Sequence, residues 1–332
     1  MNTTAYNKKL VEETDERTPL FPSIDFVQGW YAKTLSEQQW NDYFDLLKQF
    51  RFDTVILQNS IFETDGEKYS LWQDDILSCN RKYEKTLGLM LKCADNKNIS
   101  VYVGTFCPQE WWQTNFNDEF VNELAATHTK IFASITQKYA QHKSFAGWYF
   151  SPEMYTTDKD YTANWAKLLN SVIDDIEAYG NGLPMIFSPY HSSYASRDVT
   201  TNNTFAKLLS AVHFRKGDVF APQDGFGAKS ANKQTDIGEL YAFAKICRNA
   251  SENSAVTLWL NCEMFSNNPN GQRATVERLE QQFKLASAFC DKTLCFSFAH
   301  YVYKENNKAL HNDYANLLRK YGKIVQSDNN AR

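Results

Sequence analysis

The 332-residue chain has no apolar run long enough to cross a bilayer and no hydrophobic segment of signal-peptide type. The expectation is a protein without membrane insertion, cytoplasmic as written and periplasmic or secreted if a leader has been removed. Neither G-x-x-x-x-G-K-[ST] nor G-x-G-x-x-G occurs, so the backbone cradles that hold polyphosphates are missing. There is no basic excess: 35 Lys and Arg stand against 39 Asp and Glu, a formal charge of −4, which argues against a nucleic-acid partner. The Cys-x-x-Cys, His-x-His and His-Glu-x-x-His spacings of metal sites are missing too, and no cofactor or metal is expected. Seven scattered Cys, most in apolar surroundings, read as small buried hydrophobes of a reduced compartment, and the odd count leaves at least one unpaired.

The chain does have aromatics, 15% of residues with 8 Trp, 18 Tyr and 23 Phe, within an ordinary 43% hydrophobic and 22% charged composition. Many belong to the core, but clefts that hold sugars also use Trp and Tyr. Strand-like and helix-like runs alternate throughout. The strand candidates are 23–31, 54–58, 99–106, 145–150, 184–189, 218–222, 255–261 and 293–298. A polar insertion follows the second. Ser36 caps a helix reaching Phe50, with no Glu three residues on and hence no expected capping box. Eight strands, each followed by a helix, predict one single-domain (β/α)8 TIM barrel over residues 21–322, with polar tails at 1–20 and 323–332. A doubly wound open sheet is the competing architecture, but it would open with a glycine-rich first turn.

The stretch Phe145-Ala-Gly-Trp-Tyr-Phe-Ser-Pro-Glu-Met-Tyr155 organises the functional reading. An apolar strand stops at Pro152 and at once offers the carboxylate of Glu153. The alternative is a loop acid capping the next helix. In a barrel the chemistry sits where the strands end. Those ends supply Trp30, Gln58, Trp111, Trp112, Tyr155, Tyr190, His191, Gln223, Trp259, Asn261, His300 and Tyr301 as candidate substrate-binding residues. The Trp111-Trp112 pair reads equally as a sugar platform or a core-lining loop. His191 and His300 read more readily as satisfied hydrogen-bonders than as catalysts.

Three carboxylates are the candidate catalytic residues: Glu153 after the fourth strand, Asp224 after the sixth and Glu263 after the seventh. Glycosidic hydrolysis needs two acids, one protonated to assist the leaving oxygen and one ionised. Aromatic neighbours (Tyr149 and Tyr155 near Glu153, Trp259 and Phe265 near Glu263) would raise one pKa while a hydrogen bond holds the other down. Each acid has a structural reading as well. Glu263 can pair with Arg273, and Asp224, before Gly225, can close an Asx-turn. A metal-assisted hydrolase built on these acids with His191 or His300 is a further reading.

The runs Gly147-Trp-Tyr-Phe-Ser-Pro-Glu153, Ala221-Pro-Gln-Asp-Gly-Phe-Gly227 and Leu258-Trp-Leu-Asn-Cys-Glu-Met-Phe265 resemble a bacterial family of uncharacterised, glycosidase-like TIM barrels. That family is grouped, as a domain of unknown function, with barrel glycoside hydrolases. The resemblance extends over most of residues 21–322 and implies a (β/α)8 fold with a carbohydrate partner. A looser likeness to the clan of retaining barrel glycosidases implies Glu153 as acid/base and Glu263 as nucleophile. One departure stands out: that clan has Asn directly before its acid/base, where this chain has Pro152, and Gln223 or Asn261 would have to supply the missing amide. The expected function is a glycoside hydrolase acting on an oligo- or polysaccharide. The alternative is a non-catalytic carbohydrate-binding barrel.

Overall fold

The computed structural model describes residues 12–14, 16–73, 76–109, 116–154, 161–190, 199–228, 237–266 and 274–325. Eight parallel strands close into a ring, in the order β1 (Ile24–Val27), β2 (Thr54–Leu57), β6 (Ser100–Gly104), β7 (Phe145–Phe150), β8 (Met185–Phe187), β9 (Val219–Phe220), β10 (Thr257–Glu263) and β11 (Lys292–Phe296), which pairs back onto β1. This is the (β/α)8 barrel expected from the alternation. The intervening numbers belong to a small separate sheet, β3 (Ile61–Thr64), β4 (Glu67–Ser70) and β5 (Arg81–Lys82). It fills the polar insertion, where no strands were expected.

The helices of the outer layer are α2 (Glu37–Gln49), α3 (Thr86–Lys97), α4 (Asp118–Tyr139), α5 (Thr162–Tyr179), α6 (Val199–Ala211), α7 (Ile237–Ser251), α8 (Val276–Phe289) and α9 (Lys308–Lys320), with a single turn, α1 (Gly29–Ala32), before α2. Helix α4 shows why such segments form. Asn117 accepts the Phe120 N–H at its start, and Val121, Leu124, Ala125, His128, Ile131, Phe132 and Ile135 recur at helical spacing and are buried against the barrel. At α2 the expectation of no capping box is corrected. Ser36 accepts from the Gln39 N–H while the Gln39 side chain takes the Ser36 N–H, so glutamine serves where glutamate was sought.

Successive strand residues point to opposite faces, and that period divides the core in two. Ile24, Phe26, Ile56, Tyr149, Ile186, Val219, Ala221, Trp259 and Leu294 form one cluster, the plug inside the ring. Their neighbours Val27, Val55, Leu57, Trp148, Phe150, Phe187, Phe220, Leu258, Leu260 and Cys262 join the larger cluster beneath the helices. The same alternation, carried one pleat beyond the plug, fixes which side chains reach the mouth: Gln58 after Ile56, Gln223 after Ala221, Asn261 and Glu263 after Trp259, and Phe296 after Leu294.

Several boundaries differ from expectation in ways that matter for the site. The seventh strand runs to Glu263, so that carboxylate sits on paired backbone rather than in a loop, two residues beyond Asn261 on the same strand. The first strand stops at Val27, and Trp30 and Tyr31 stand on the α1 turn. The eighth strand gives way to a π-helical turn, Phe298–Val302, that carries His300 and Tyr301. Between β2 and β6, Gly104 is indispensable, because a Cβ there would lie 2.1 Å from the Gln58 carbonyl oxygen.

Candidate active site

Glu153 and Glu263 line the same cavity at the carboxyl ends of the strands, together with Phe26, Gln58, Tyr149, Gln223, Asn261, Phe265 and Phe296. Their strands, β7 and β10, lie three places apart in the eight-membered ring, which brings residues 110 positions apart in sequence to one mouth. The phenol of Tyr190 feels both carboxylates, since each raises its pKa after burial has done so.

Glu153 is held by the exit from β7. Ser151 donates its hydroxyl to the Gln58 carbonyl at 2.6 Å and its N–H to Thr105 Oγ1 at 3.3 Å. Thr105 Oγ1 in turn meets His128 Nε2 at 2.9 Å, and His128 Nδ1 lies 2.7 Å from the Leu124 carbonyl. A carbonyl only accepts, so Nδ1 carries the ring hydrogen and Nε2 accepts from the threonine. Burial depresses His128 to about 4 and keeps it neutral. This buried chain stiffens the segment just before Pro152. Beyond it, the Glu153 Oε1 accepts from Gln223 Nε2 at 3.1 Å, while the same amide nitrogen also reaches the Ser188 carbonyl at 3.3 Å. Desolvation raises Glu153 to about 7, and the Gln223 hydrogen bond offsets only part of that.

Glu263 is 3% exposed, at the last position of β10. Its Oε2 accepts the Ala228 N–H at 2.7 Å, and the Gly227 N–H also stabilises its charge. Arg278 donates to the main-chain oxygens of Glu263 (2.7 Å) and Phe265 (2.8 Å), and its charge favours the ionised form of the Glu263 carboxyl. Burial, with the nearby charge of Asp224 second, raises Glu263 to about 8. Both acids are therefore pushed up, where one was expected to be held down. The physical reason is burial, which penalises the charged form of each acid by more than the hydrogen bonds each accepts, and the charge of Arg278 near Glu263, can offset.

Asp224 is fully buried and lies behind Glu263, outside the cavity lining. Its Oδ1 accepts from the N–H groups of Phe226 (3.0 Å) and Glu263 (3.2 Å), and its Oδ2 from Gln282 Nε2 (2.6 Å). The first of these is the Asx-turn contact, with Gly225 following at φ +61°. Trp259 sits in the barrel plug, 8% exposed, with the Lys292 ammonium 5.4 Å from its ring centre, below the cavity rather than in its wall.

His300 stacks on Trp30, with ring centres 5.3 Å apart and planes at 26°, and accepts the Gln28 N–H on Nε2 at 3.3 Å. Burial lowers His300 to about 4, so it is neutral and Nδ1 holds the hydrogen. Trp30 is 49% exposed, a broad aromatic surface on the rim. Tyr301 packs on Phe265 at 5.2 Å, and these two rings with His300 wall a second hollow of about 260 Å³ beside the first. Trp111, Trp112, Tyr155, His191 and Arg273 lie outside the described residues. Among the described residues no three His, Cys, Asp or Glu side chains are grouped to hold a metal ion.

Four lining residues, Phe26, Tyr149, Phe265 and Phe296, were missed as site residues, although Tyr149 and Phe265 were expected near the acids. Alternation groups Phe26, Tyr149 and Phe296 with Ile24, Gly147 and Leu294, but strands that are apolar on both faces do not show in sequence which face looks inward, and Phe265 lies past the end of β10. Asp25 was also missed. It is fully buried, points outward from β1, and accepts from Tyr43 Oη (2.5 Å) and from the N–H groups of Phe298 (2.7 Å) and Ala299 (2.9 Å). It thereby anchors the turn that carries His300 and Tyr301.

The backbone resembles several solved structures. A "putative alpha-L-fucosidase" from Bacteroides thetaiotaomicron superposes with TM-score 0.73 at 19% identity, covering 93% of this chain and 97% of the other. The GH5_18 protein of Streptomyces cattleya, in complex with Manβ1-4GlcNAc, gives 0.54 at 13% identity over 83% of this chain and 71% of that one. The catalytic domain of the Thermobifida fusca endoglucanase Cel5A gives 0.51 at 12% identity, with coverage of 84% and 79%. At these identities the likeness establishes a shared fold. No curated protein matches the sequence. The family described as Domain of unknown function (DUF4434) matches residues 25–309, nearly the whole barrel, and the chain belongs to that family.

Proposed function

We propose that this protein is a glycoside hydrolase acting on an oligo- or polysaccharide, with Glu153 as general acid/base and Glu263 as nucleophile or base. The observation that carries the reading is the meeting of these two carboxyls in one aromatic-walled cavity at the carboxyl ends of the strands. The fold neighbours that are glycoside hydrolases support it. Burial raises Glu153 to about 7, which keeps a fraction of it protonated near neutral pH as a general acid must be, whereas Glu263, raised to about 8, must give up its proton before it acts as nucleophile or base.

In the first step Glu153 gives its proton to the departing glycosidic oxygen. Glu263 either attacks the anomeric carbon or takes a proton from the water that does. A carboxyl separation of about 5–5.5 Å goes with the first route and about 6.5–9.5 Å with the second. Gln223 holds Glu153 itself, its Nε2 shared between that carboxyl and the Ser188 carbonyl, which is a different task from the one expected of the amide that Pro152 displaces, the holding of a sugar 2-hydroxyl. Asp224 fixes the Glu263 N–H from behind, while its charge favours the protonated form of Glu263 and so works against the ionised form that attack or base catalysis needs. Glu153 meets a neutral amide rather than a cation, which favours catalysis over a barrel that binds sugars without cleaving them.

The test is turnover of the Glu153→Gln and Glu263→Gln variants on a glycan cleaved by the wild type. Each should lose at least about a hundredfold. Near-wild-type turnover in both would refute the assignment.

A further inference from the structure

Asn261 is 3% exposed and lines the cavity between the two carboxyls. Its main chain is fully engaged, the N–H donating to the Pro222 carbonyl at 3.0 Å and its own carbonyl accepting from Asp224 N at 2.9 Å. Its side-chain Nδ2 donates to Ser188 Oγ at 3.1 Å. The remaining atom, Asn261 Oδ1, is buried without a hydrogen-bond partner. Leaving such an acceptor unmet costs about 1–3 kcal/mol, and a filled site removes that cost.

We propose that Asn261 Oδ1 reads a hydroxyl of the sugar bound between Glu153 and Glu263, and that this sugar is uncharged. The proposal rests on the glycosidase reading for its reaction, but not for its binding step. An unpaired acceptor calls for an O–H or N–H donor. A sugar carboxylate or sulfate would face two carboxyls and an amide oxygen with no cation in the described lining, so anionic sugars are repelled. An ammonium would have to shed its water against the rings of Phe26, Tyr149, Phe265 and Phe296, in a cavity whose burial already disfavours charge. A neutral hydroxyl meets neither obstacle. At about 70 Å³ the described cavity takes the edge of one sugar residue, so one amide oxygen at its wall has a single partner to select.

The experiment measures kcat/KM on 4-nitrophenyl glycosides of neutral hexoses and pentoses, on their monodeoxy derivatives, and on the glucuronide and glucosaminide. Binding of the corresponding free sugars is followed in parallel by saturation-transfer NMR. The wild type should prefer a neutral glycoside and lose about tenfold or more when one particular hydroxyl is removed. In Asn261→Ala that preference should fall to about onefold, the parent being weakened and the deoxy compound hardly affected. Ser188→Ala, which leaves Asn261 in place but frees its amide, should lose part of the discrimination and guards against an Asn261 variant that fails to fold.

Equal weakening of parent and every deoxy compound in Asn261→Ala would overturn the proposal. So would a glucuronide or glucosaminide as best substrate, which leaves the glycosidase reading standing. A wild type that binds neutral sugars with the same Asn261-dependent preference but cleaves none would uphold the proposal and overturn that reading instead.

Discussion

Gln223 Nε2 donates to Glu153 Oε1 at 3.1 Å, across the gap between the ends of β9 and β7. The bond favours the ionised acid and, among the described residues, opposes the desolvation that lifts Glu153 to about 7. Replacing Gln223 with Leu removes it. The pH–rate limb near 7 should then move to higher pH, with the limb near 8 little changed. A limb that stays in place would show that the amide does not tune this carboxyl.

In the wild type the pH profile of kcat/KM should be a narrow bell centred between 7 and 8. The pair must carry one proton, and it gains the second or loses the first outside that window. An optimum below pH 6, as for acids near their ordinary values, would contradict the burial argument.

Stability should fall as pH rises from 6.5 to 8. Glu153 and Glu263 rise from 4.5 to about 7 and 8 on folding, so over this range the folded chain keeps protons that the unfolded chain has released. Their contribution is complete below 4.5 and is lost as pH climbs through the folded values. His128 and His300, lowered from 6.5 to about 4, act in the opposite direction, but only below 6.5. The slope should be at most about 1.4 kcal/mol per pH unit for each proton involved. Calorimetry of wild type and Glu263→Gln checks this. The variant's Tm should vary less over the window, and a wild-type Tm that rises with pH would contradict the argument.

Asp25 should matter more than its phenol partner. Asp25→Ala leaves the Phe298 and Ala299 N–H groups and Tyr43 Oη without their acceptor, and a cost of about 3 kcal/mol is expected. Tyr43→Phe removes one donor and should cost about 1 kcal/mol. Denaturant unfolding gives both numbers, and a reversed order would mean that Asp25 is not the anchor of the turn.

The barrel was legible because each β-α unit writes its own signal, a short apolar run followed by helical spacing. Glu153 was legible for the same reason, since Pro152 marks where its strand must stop. Glu263 was found as a residue but placed one element too late, in a loop. The aromatic floor stayed hidden because parallel strands are apolar on both faces, so sequence does not say whether Phe26 or Val27 looks into the ring. Trp259 shows the same ambiguity along the other axis: it shares a face with Asn261 and Glu263 but lies two residues deeper, in the plug. Asp25 gave no warning, since its main-chain donors come from residues 298 and 299, far along the chain. The Ser36–Gln39 box was readable and was overlooked by looking only for glutamate.

The anchoring of the π-helical turn on Asp25 has a consequence for synthesis. The acceptor emerges from the ribosome more than 270 residues before the N–H groups it serves. Until β11 arrives to pair with both β1 and β10, the inward faces of the early strands have no ring to enclose them, and the buried carboxylate has no turn to hold. A nascent chain stalled short of residue 299 therefore presents Ile24, Phe26 and Ile56 to solvent. Such truncations should be captured by chaperones or aggregate, however complete their remaining helices.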